Sequence, residues 1–131
     1  GGEGNGGVIY PESHYGRDAL VGVGLFLSHF VAEGKSMTAL KATYPQYFIS
    51  KNKLTLSPDM DVDKILEGLK KKYASEEITD IDGVKIDFKD GWVHLRKSNT
   101  EPIIRIYSES KDEAAANQLA EEVIKVAQSL Y

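Results

Sequence analysis

From about residue 45 onward, apolar and polar residues alternate in short runs, the pattern of strands that bury one face. The alternating runs cover residues 46–56, 76–81, 84–88, 92–96 and 103–110. The first run contains a polar stretch, so we expect either one strand or a ragged hairpin there. Asp82-Gly83 and Asp90-Gly91 lie between successive runs, and Asp-Gly pairs favour tight hairpin turns. This part of the chain is therefore predicted to form an antiparallel sheet.

Helical periodicity occurs twice in the same region, where apolar residues recur every three to four positions. One helix begins near Asp61 and the other near Lys111, where Ser110-Lys111-Asp112-Glu113 matches a capping box. The first apolar stripe contains Val62, Ile65, Leu66, Leu69 and Tyr73, and the second contains Ala116, Leu119, Val123, Ala127 and Leu130. The order β-α-β-β-β-β-α predicts an α+β fold in which both helices cover one face of the sheet.

Residues 1–44 follow a different pattern and are interpreted as the tail of a neighbouring α/β domain. The glycine-rich GGEGNGG precedes VIY at 8–10, which predicts a short strand, and helices are predicted over 18–32 and 37–44. Apolar residues lie on more than one side of the first helix, so it needs partners to cover it. We therefore expect a piece of a longer protein, with residues 1–44 loosely held or prone to associate.

Composition narrows the class of protein. The chain has 131 residues, 41% hydrophobic and 27% charged, which is enough for one globular domain with a core. Its net charge of -4 offers nucleic acid no general electrostatic attraction. It contains no cysteine, which excludes disulfides and thiolate metal sites. Its apolar runs are too short for a membrane span, and we expect a cytoplasmic protein.

The segment RKSNTEP at 96–102 lies between two predicted strands and carries the clearest candidate chemistry. Backbone N–H groups in a tight turn form an anion-binding concavity, and short hydroxyl side chains allow a phosphate to approach it. The guanidinium of Arg96 can supply two parallel donors to a phosphate. The alternative is ordinary turn chemistry, in which Ser98, Asn99 and Thr100 stabilise the turn and Arg96 is solvated. Spacing alone leaves both readings open.

Two further patterns are weaker. Glu3 in GGEGNGG can accept hydrogen bonds from a polyhydroxyl ligand and Asn5 can donate and accept, although the glycines also suit a flexible terminus. Aspartates alternate at positions 59, 61 and 63, but the glycine and distal glutamate of an EF-hand are missing. They lie where a helix starts, and acidic groups are favoured there. We therefore predict a helix start and no metal site.

RKSNTEP followed by IIRIYSES resembles the C-terminal phosphate-binding loop of the α-D-phosphohexomutases, the family of phosphoglucomutase, phosphomannomutase and phosphoglucosamine mutase. GGEGNGG resembles the sugar-binding loop at the end of the third domain of that family. The resemblance covers the whole chain. It implies that residues 1–44 end the third domain and include the linking helix. It also implies that residues 45–131 form the phosphate-binding fourth domain, a sandwich like the TATA-binding protein.

The resemblance implies an activity for the parent protein. Members of the family interconvert hexose 1-phosphates and hexose 6-phosphates, an isomerase reaction of carbohydrate metabolism. The reaction uses a phosphoserine, Mg²⁺ held by an aspartate-rich loop, and a hexose 1,6-bisphosphate as intermediate and activator. Neither the serine loop nor the metal loop is found in this sequence. We therefore expect no catalytic residue in this chain, no activity of the chain alone, and a requirement for the N-terminal domains of the parent.

By the same resemblance, the phosphosugar substrate is held at two places. The implied ligands of the phosphate that does not react are Arg96, Ser98, Asn99 and Thr100. The implied ligands of the sugar hydroxyls are Glu3 and Asn5. Many members have Glu-x-Ser-Gly-His in the sugar loop, whereas here Asn5 replaces the serine and Gly7 the histidine. This departure leaves open which hexose phosphate is preferred.

A second function stays open, that of a non-enzymatic nucleic-acid or protein-binding module. Its surface would be the sheet face away from the helices, to which strand alternation assigns Trp92, His94, Arg96, Arg105 and Tyr107. The acidic net charge argues against nucleic acid. On the first reading, Arg105 either reinforces the charge of RKSNTEP or faces solvent.

Overall fold

The computed structural model describes residues 1–2, 6–57 and 60–130. The chain divides into two compact units, Gly1–Pro45 and Gln46–Tyr131. The elements in chain order are α1 (Ala19–Glu33), α2 (Met37–Lys41), β1 (Phe48–Thr55), α3 (Val62–Lys72), β2 (Glu77–Thr79), β3 (Val84–Phe88), β4 (Gly91–Lys97), β5 (Ile103–Ser110) and α4 (Glu113–Gln128). The first two helices belong to the smaller unit, and all later elements belong to the larger one.

The described part of the larger unit forms a five-stranded sheet in the order β1-β5-β4-β3-β2, and every neighbouring pair is antiparallel. The predicted α+β fold, with its antiparallel sheet and β-α-β-β-β-β-α order, is confirmed. The stretch 46–56 contains the single strand β1 and no hairpin. β4 and β5, which RKSNTEP connects, lie next to each other within the sheet, and β5 also pairs with β1.

Alternate residues of the strands face the two helices and form the core. Leu95 and Ile106 of the sheet are fully buried, as are Ile65 and Leu69 of α3. The buried residues of α4 are Ala116, Ala120, Val123 and Ala127. Fully burying a Leu, Ile or Val side chain contributes about 1.5–3 kcal/mol. Both helices pack into this one cluster, so the opposite face of the sheet carries no helix of this unit.

The start of α3 lies within the aspartate run. Oδ1 of Asp61 accepts hydrogen bonds from the backbone N–H groups of Asp63 at 3.1 Å and Lys64 at 3.2 Å. Asp61 is therefore the N-cap, and the predicted helix start is confirmed. Asp59 lies outside the described residues.

The start of α4 differs from the prediction. Its N-cap is Asp112, whose Oδ1 accepts from the backbone N–H of Ala115 at 2.8 Å. The predicted capping box beginning at Ser110 is wrong, because Ser110 is the last residue of β5. Its hydroxyl instead donates to the backbone oxygen of Asp90 at 2.7 Å. A long-range bond to the neighbouring turn thus replaces the local cap.

The two Asp-Gly pairs lie near hairpin turns as predicted, but their glycines have different roles. Gly83 has φ +78° in the turn before β3, a left-handed conformation that favours glycine. The turn between β3 and β4 consists of Lys89 and Asp90, and Gly91 is the first residue of β4. A Cβ at Gly91 would overlap the backbone oxygen of Glu109. Gly91 is therefore required for close strand approach and not for the turn.

The smaller unit is dominated by α1, which runs from the N-cap Asp18 to Gly34, where φ is +61°. Ala19–Glu33 is fully described and contains no buried residue. Leu20 and Val31 are 84% and 77% exposed. The apolar surface that the sequence assigns to several sides of this helix is therefore uncovered in this chain. No helix in the described residues is long and apolar enough to cross a membrane.

The predicted strand at 8–10 is wrong. The described residues form only isolated bridges there, between Gly2 and Val8 and between Tyr10 and His14. A strand needs a partner along its length, and the described residues supply only these single pairings. The bridge to Val8 nevertheless pairs Gly2 with the residue that follows GGEGNGG. Glu3 and Asn5 lie outside the described residues.

Candidate functional site

RKSNTEP forms one wall of a cavity at the end of the sheet. Arg96 and Lys97 are the last residues of β4, and residues 98–102 lead into β5. The cavity has a volume of about 290 Å³ and is lined by Asp82, Arg96, Lys97, Ser98, Asn99, Thr100 and Arg105. The four residues that the sequence nominates for phosphate binding therefore lie together around one space.

The register of the sheet places two arginines directly opposite each other on neighbouring strands. Arg96 of β4 pairs with Arg105 of β5, and Arg105 in turn pairs with Lys53 of β1. Like charges directly opposite each other on neighbouring strands are destabilising. A bound anion would relieve this repulsion, so the row of cations is the feature of the sheet end that most favours an anionic ligand.

Two carboxylates already contact these arginines. Arg96 Nη1 donates to Asp82 Oδ2 at 2.8 Å, and Arg105 Nη2 lies 3.6 Å from Glu101 Oε2. The side chains of Arg96 and Arg105 remain 49% and 40% exposed. Exposed ion pairs contribute only about 0–1 kcal/mol. Both guanidinium groups can therefore exchange a carboxylate for another anion at low cost.

Ser98 is the buried residue of the loop. Its backbone N–H donates to the Ile103 oxygen at 3.0 Å, and its Oγ accepts from the backbone N–H of Thr100 at 3.4 Å. Ser98 therefore stabilises the turn, as the turn-chemistry reading predicts. Asn99 has no hydrogen-bond partner within the described residues, so its amide group can meet a ligand. The turn and the cavity wall are the same structure, and the two readings of RKSNTEP are compatible.

The turn before β3 lies against the strand that leads into RKSNTEP. His94 Nε2 lies 2.6 Å from the backbone oxygen of Asp82, which only accepts, so Nε2 carries the proton and donates. The following residue, Gly83, could not carry a Cβ, because that atom would overlap the backbone oxygen of Leu95. The carboxylate of Asp82 therefore reaches the cavity from a turn that is held directly against β4.

The charge balance of the cavity suits a dianion. Its described lining contains the cations Arg96, Lys97 and Arg105 and one carboxylate, that of Asp82. Cationic side chains form strong charge-assisted hydrogen bonds with phosphate oxygens. Metal ligation has no comparable basis, since nowhere in residues 1–2, 6–57 and 60–130 do three His, Asp or Glu side chains cluster to hold an ion.

The family of the chain is decided by a match to a model of a known protein domain. The C-terminal domain of phosphoglucomutase/phosphomannomutase matches residues 52–126. The chain belongs to the phosphoglucomutase/phosphomannomutase family. The matched residues include β2 to β5 and the whole of RKSNTEP, so the cavity lies inside the part that defines the family domain.

Similar proteins from archaea extend the match to nearly the whole chain. A phosphoglucosamine/phosphogalactosamine mutase of Sulfurisphaera tokodaii is 40% identical over 126 residues, which cover 95% of this chain. A phosphoglucomutase/phosphomannomutase of Thermococcus kodakarensis is 41% identical over 128 residues, or 96% of this chain. The chain spans 28% of the length of each of these proteins. The chain therefore corresponds to only a part of these longer members of the phosphoglucomutase/phosphomannomutase family.

A solved structure agrees with the fold. It belongs to a phosphoglucomutase/phosphomannomutase family protein of Burkholderia thailandensis, with a TM-score of 0.66 and 26% identity. The match covers 97% of this chain and 28% of the other. The resemblance of the chain to the phosphohexomutase family is therefore confirmed by the family model and the sequence relatives, and the fold agrees.

Sequence reasoning nominated four of the cavity residues, left the role of Arg105 open, and did not nominate Asp82 or Lys97. Three further residues line the cavity beside the nominated four: Asp82, Lys97 and Arg105. Arg105 is nine positions beyond Arg96 in sequence, and only the β4–β5 register makes them neighbours. In the sequence, Asp82 stands out only as the first residue of an Asp-Gly pair that favours a turn. The positions of Glu3 and Asn5, the predicted sugar ligands of this family member, lie outside the described residues.

Proposed function

We propose that the cavity at RKSNTEP binds the non-reacting phosphate of a phosphosugar, in a phosphohexomutase of which this chain is the C-terminal part. The observation that carries the proposal is the cross-strand pair of Arg96 and Arg105. These two side chains line the same cavity as the hydrogen-bond donors of RKSNTEP. Membership of the phosphoglucomutase/phosphomannomutase family supports it.

Each cavity residue has a distinct task in this proposal. The planar guanidinium of Arg96 supplies paired donors to two phosphate oxygens. The side-chain amide of Asn99 and the hydroxyl of Thr100, which line the cavity, would contact a further oxygen, and Ser98 keeps the turn closed. Arg105 adds charge from the neighbouring strand. Binding energy gained here, away from the reacting end, offsets the cost of ordering and desolvating that end.

The longer protein would interconvert hexose 1-phosphate and hexose 6-phosphate by way of a phosphoserine and a hexose 1,6-bisphosphate. A site that contacts phosphate oxygens accepts either isomer, because the phosphate group is the same in both. The phosphoserine and the ligands of Mg²⁺ would come from the preceding domains. This chain alone would bind phosphosugar without converting it.

The sugar would be held by the other unit. We assign residues 1–44 to the end of the sugar-binding domain with its linking helix, and residues 45–131 to the phosphate-binding domain. Glu3 and Asn5 would then contact sugar hydroxyls.

Amide NMR of the 131-residue chain during titration with inorganic phosphate, and then with glucose 6-phosphate, tests the proposed site. We expect saturable shifts of the amides of residues 98–100. Hydrogen bonds to charged groups contribute about 1.5–3 kcal/mol, so Arg96→Ala should weaken phosphate binding about tenfold or more.

Lys71→Ala is the matched control, because Lys71 is an exposed cation of α3 that does not line the cavity. It changes the net charge as Arg96→Ala does and should leave the affinity unchanged. If the amides of residues 98–100 stay unshifted in the wild-type chain, or if both variants lose affinity equally, the proposed phosphate site is wrong.

A further inference from the structure

Asp82 is an acidic side chain in a cavity whose other charged lining residues are basic. Its Oδ2 accepts a hydrogen bond from Arg96 Nη1 at 2.8 Å, and it lines the same cavity as RKSNTEP. The carboxylate occupies one of the five guanidinium N–H donors, on Nη1, and a phosphate that takes a bidentate pair including Nη1 must displace it. At Nη1 the two anions compete for the same donor.

The position of this carboxylate is built into the fold. The backbone oxygen of Asp82 accepts from His94 Nε2 at 2.6 Å. The next residue, Gly83, lies so close to β4 that a Cβ would meet the Arg96 Cα at 3.0 Å and would overlap the Leu95 oxygen. Two contacts to β4 thus hold the backbone at Asp82 and Gly83. A carboxylate that merely met a flexible arginine by chance would lack this anchoring.

We propose that Asp82 is an intramolecular counter-ion that holds Arg96 in the empty site and is displaced when phosphate binds. The inference rests on the proposed function of the cavity and adds a regulator of its affinity. Asp82 offsets the repulsion between Arg96 and Arg105 while no ligand is present. Once phosphate has bound, the same carboxylate repels it and favours release.

This arrangement has a consequence for a site that must both bind and release phosphosugars. A phosphate held by Arg96, Lys97 and Arg105 without the carboxylate of Asp82 would leave more slowly, because affinity differences are expressed mainly in dissociation rates. A carboxylate anchored in the cavity lowers the affinity without removing any donor. Asp82 therefore tunes the site toward exchange of phosphosugars and away from tight retention.

Asp82→Asn tests the competition, because the amide keeps the shape and one acceptor of the side chain and removes its charge. We expect inorganic phosphate, titrated into the 131-residue chain and followed by amide NMR, to bind Asp82→Asn about fivefold more tightly than the wild type. Asp80→Asn is the matched control. Asp80 lies in the same segment but pairs with Lys70 and does not line the cavity, so its affinity should equal that of the wild type.

The carboxyl carbon of Asp82 gives an independent readout. Its resonance should move on phosphate addition to the wild-type chain as the carboxylate loses Arg96, while that of Asp80 stays in place. Equal or weaker binding by Asp82→Asn, or an unmoved Asp82 carboxyl carbon, would overturn the competition. If the wild-type chain still binds phosphate in that case, the proposed site survives. If neither chain binds phosphate, the site and the counter-ion role both fail.

Discussion

Lys70 of α3 contacts two carboxylates, one on its own helix and one in the segment that follows β2. Its Nζ donates to Glu67 Oε1 at 2.7 Å and to Asp80 Oδ2 at 2.9 Å. The hydrogen bond from Lys70 lowers the pKa of Asp80 below its ordinary value, and the bonds to Glu67 and Asp80 raise the pKa of Lys70. The pair therefore stabilises the folded chain over the pH range in which both groups are charged.

Asp80→Asn should lower the urea midpoint of unfolding at neutral pH, by a difference that shrinks on acidification. Folding depresses the pKa of Asp80, so its contribution is present above the unfolded value of about 3.9. It is lost as the pH falls through the lower folded value. Urea unfolding of both chains, followed by Trp92 fluorescence at about pH 7 and about pH 2.5, measures the change.

Glu121→Gln serves as the control for this titration, since Glu121 is exposed on α4 and forms no ion pair within the described residues. Its midpoint should follow that of the wild type at both pH values. A difference between the wild type and Asp80→Asn that is the same at both pH values would show that the ion pair is not its cause.

At the scale of elements, two glycines of the larger unit test how rigidly neighbouring elements pack. A Cβ at Gly91 of β4 would overlap the backbone oxygen of Glu109 on β5. A Cβ at Gly68 of α3 would meet the Cδ1 atom of Leu130 at 2.8 Å. Backbone in the middle of a sheet cannot retreat, whereas a partly exposed leucine side chain can rotate.

Gly91→Ala should therefore destabilise the larger unit by about 2–3 kcal/mol through overpacking. Gly68→Ala should stay within about 1 kcal/mol of the wild type, because the gain in helix propensity offsets the rotation of Leu130. Urea unfolding of the three chains measures both changes. Equal losses for the two variants would contradict the distinction between backbone and side-chain obstacles.

Elements whose signal is local could be predicted from the sequence. β3 and β5 have the expected bounds, and α3 begins after Asp61, because period and cap lie within a few residues of each other. The prediction was wrong where the role of a residue depends on a partner that is distant in the sequence. Ser110 looks like a helix cap until β5 pairs with β4 and brings its hydroxyl to Asp90.

The residues of the candidate site also fall into two groups, those that a local motif identifies and those that the fold brings together. Ser98, Asn99 and Thr100 could be nominated because they are contiguous and chemically alike in what they offer an anion. Asp82 and Arg105 enter the cavity through strand register and turn geometry. Register is set by the pattern of the whole sheet and by turn lengths, so no local motif could have identified the counter-ion of Arg96.

At the scale of the whole molecule, the two units differ in how much apolar surface they bury. The larger unit has a cluster of fully buried residues, whereas Ala19–Glu33 of the smaller unit contains none. Segments with few buried apolar contacts open at low free-energy cost. The two units should therefore respond differently to a protease.

Limited trypsin digestion of the chain should cut first in the smaller unit, at Lys35 and Lys41 near the ends of its helices, and should leave a fragment beginning near Gln46. Lys125 within α4 is the internal comparison and should be cut much later. Mass spectrometry of the time course identifies the fragments. A first stable product that retains residues 1–45 would contradict the difference in local stability.

The strand order also has a kinetic consequence. β3 pairs with β4 and β4 with β5 through short connections, but β1 pairs with β5, so that Phe48 must find Ser110 near the end of the chain. Pairings between distant residues form slowly because the loop between them must close first. During synthesis, β1 therefore stays unpaired until β5 has left the ribosome. The walls of the cavity at RKSNTEP, supplied by β4 and β5, can assemble before the sheet is complete.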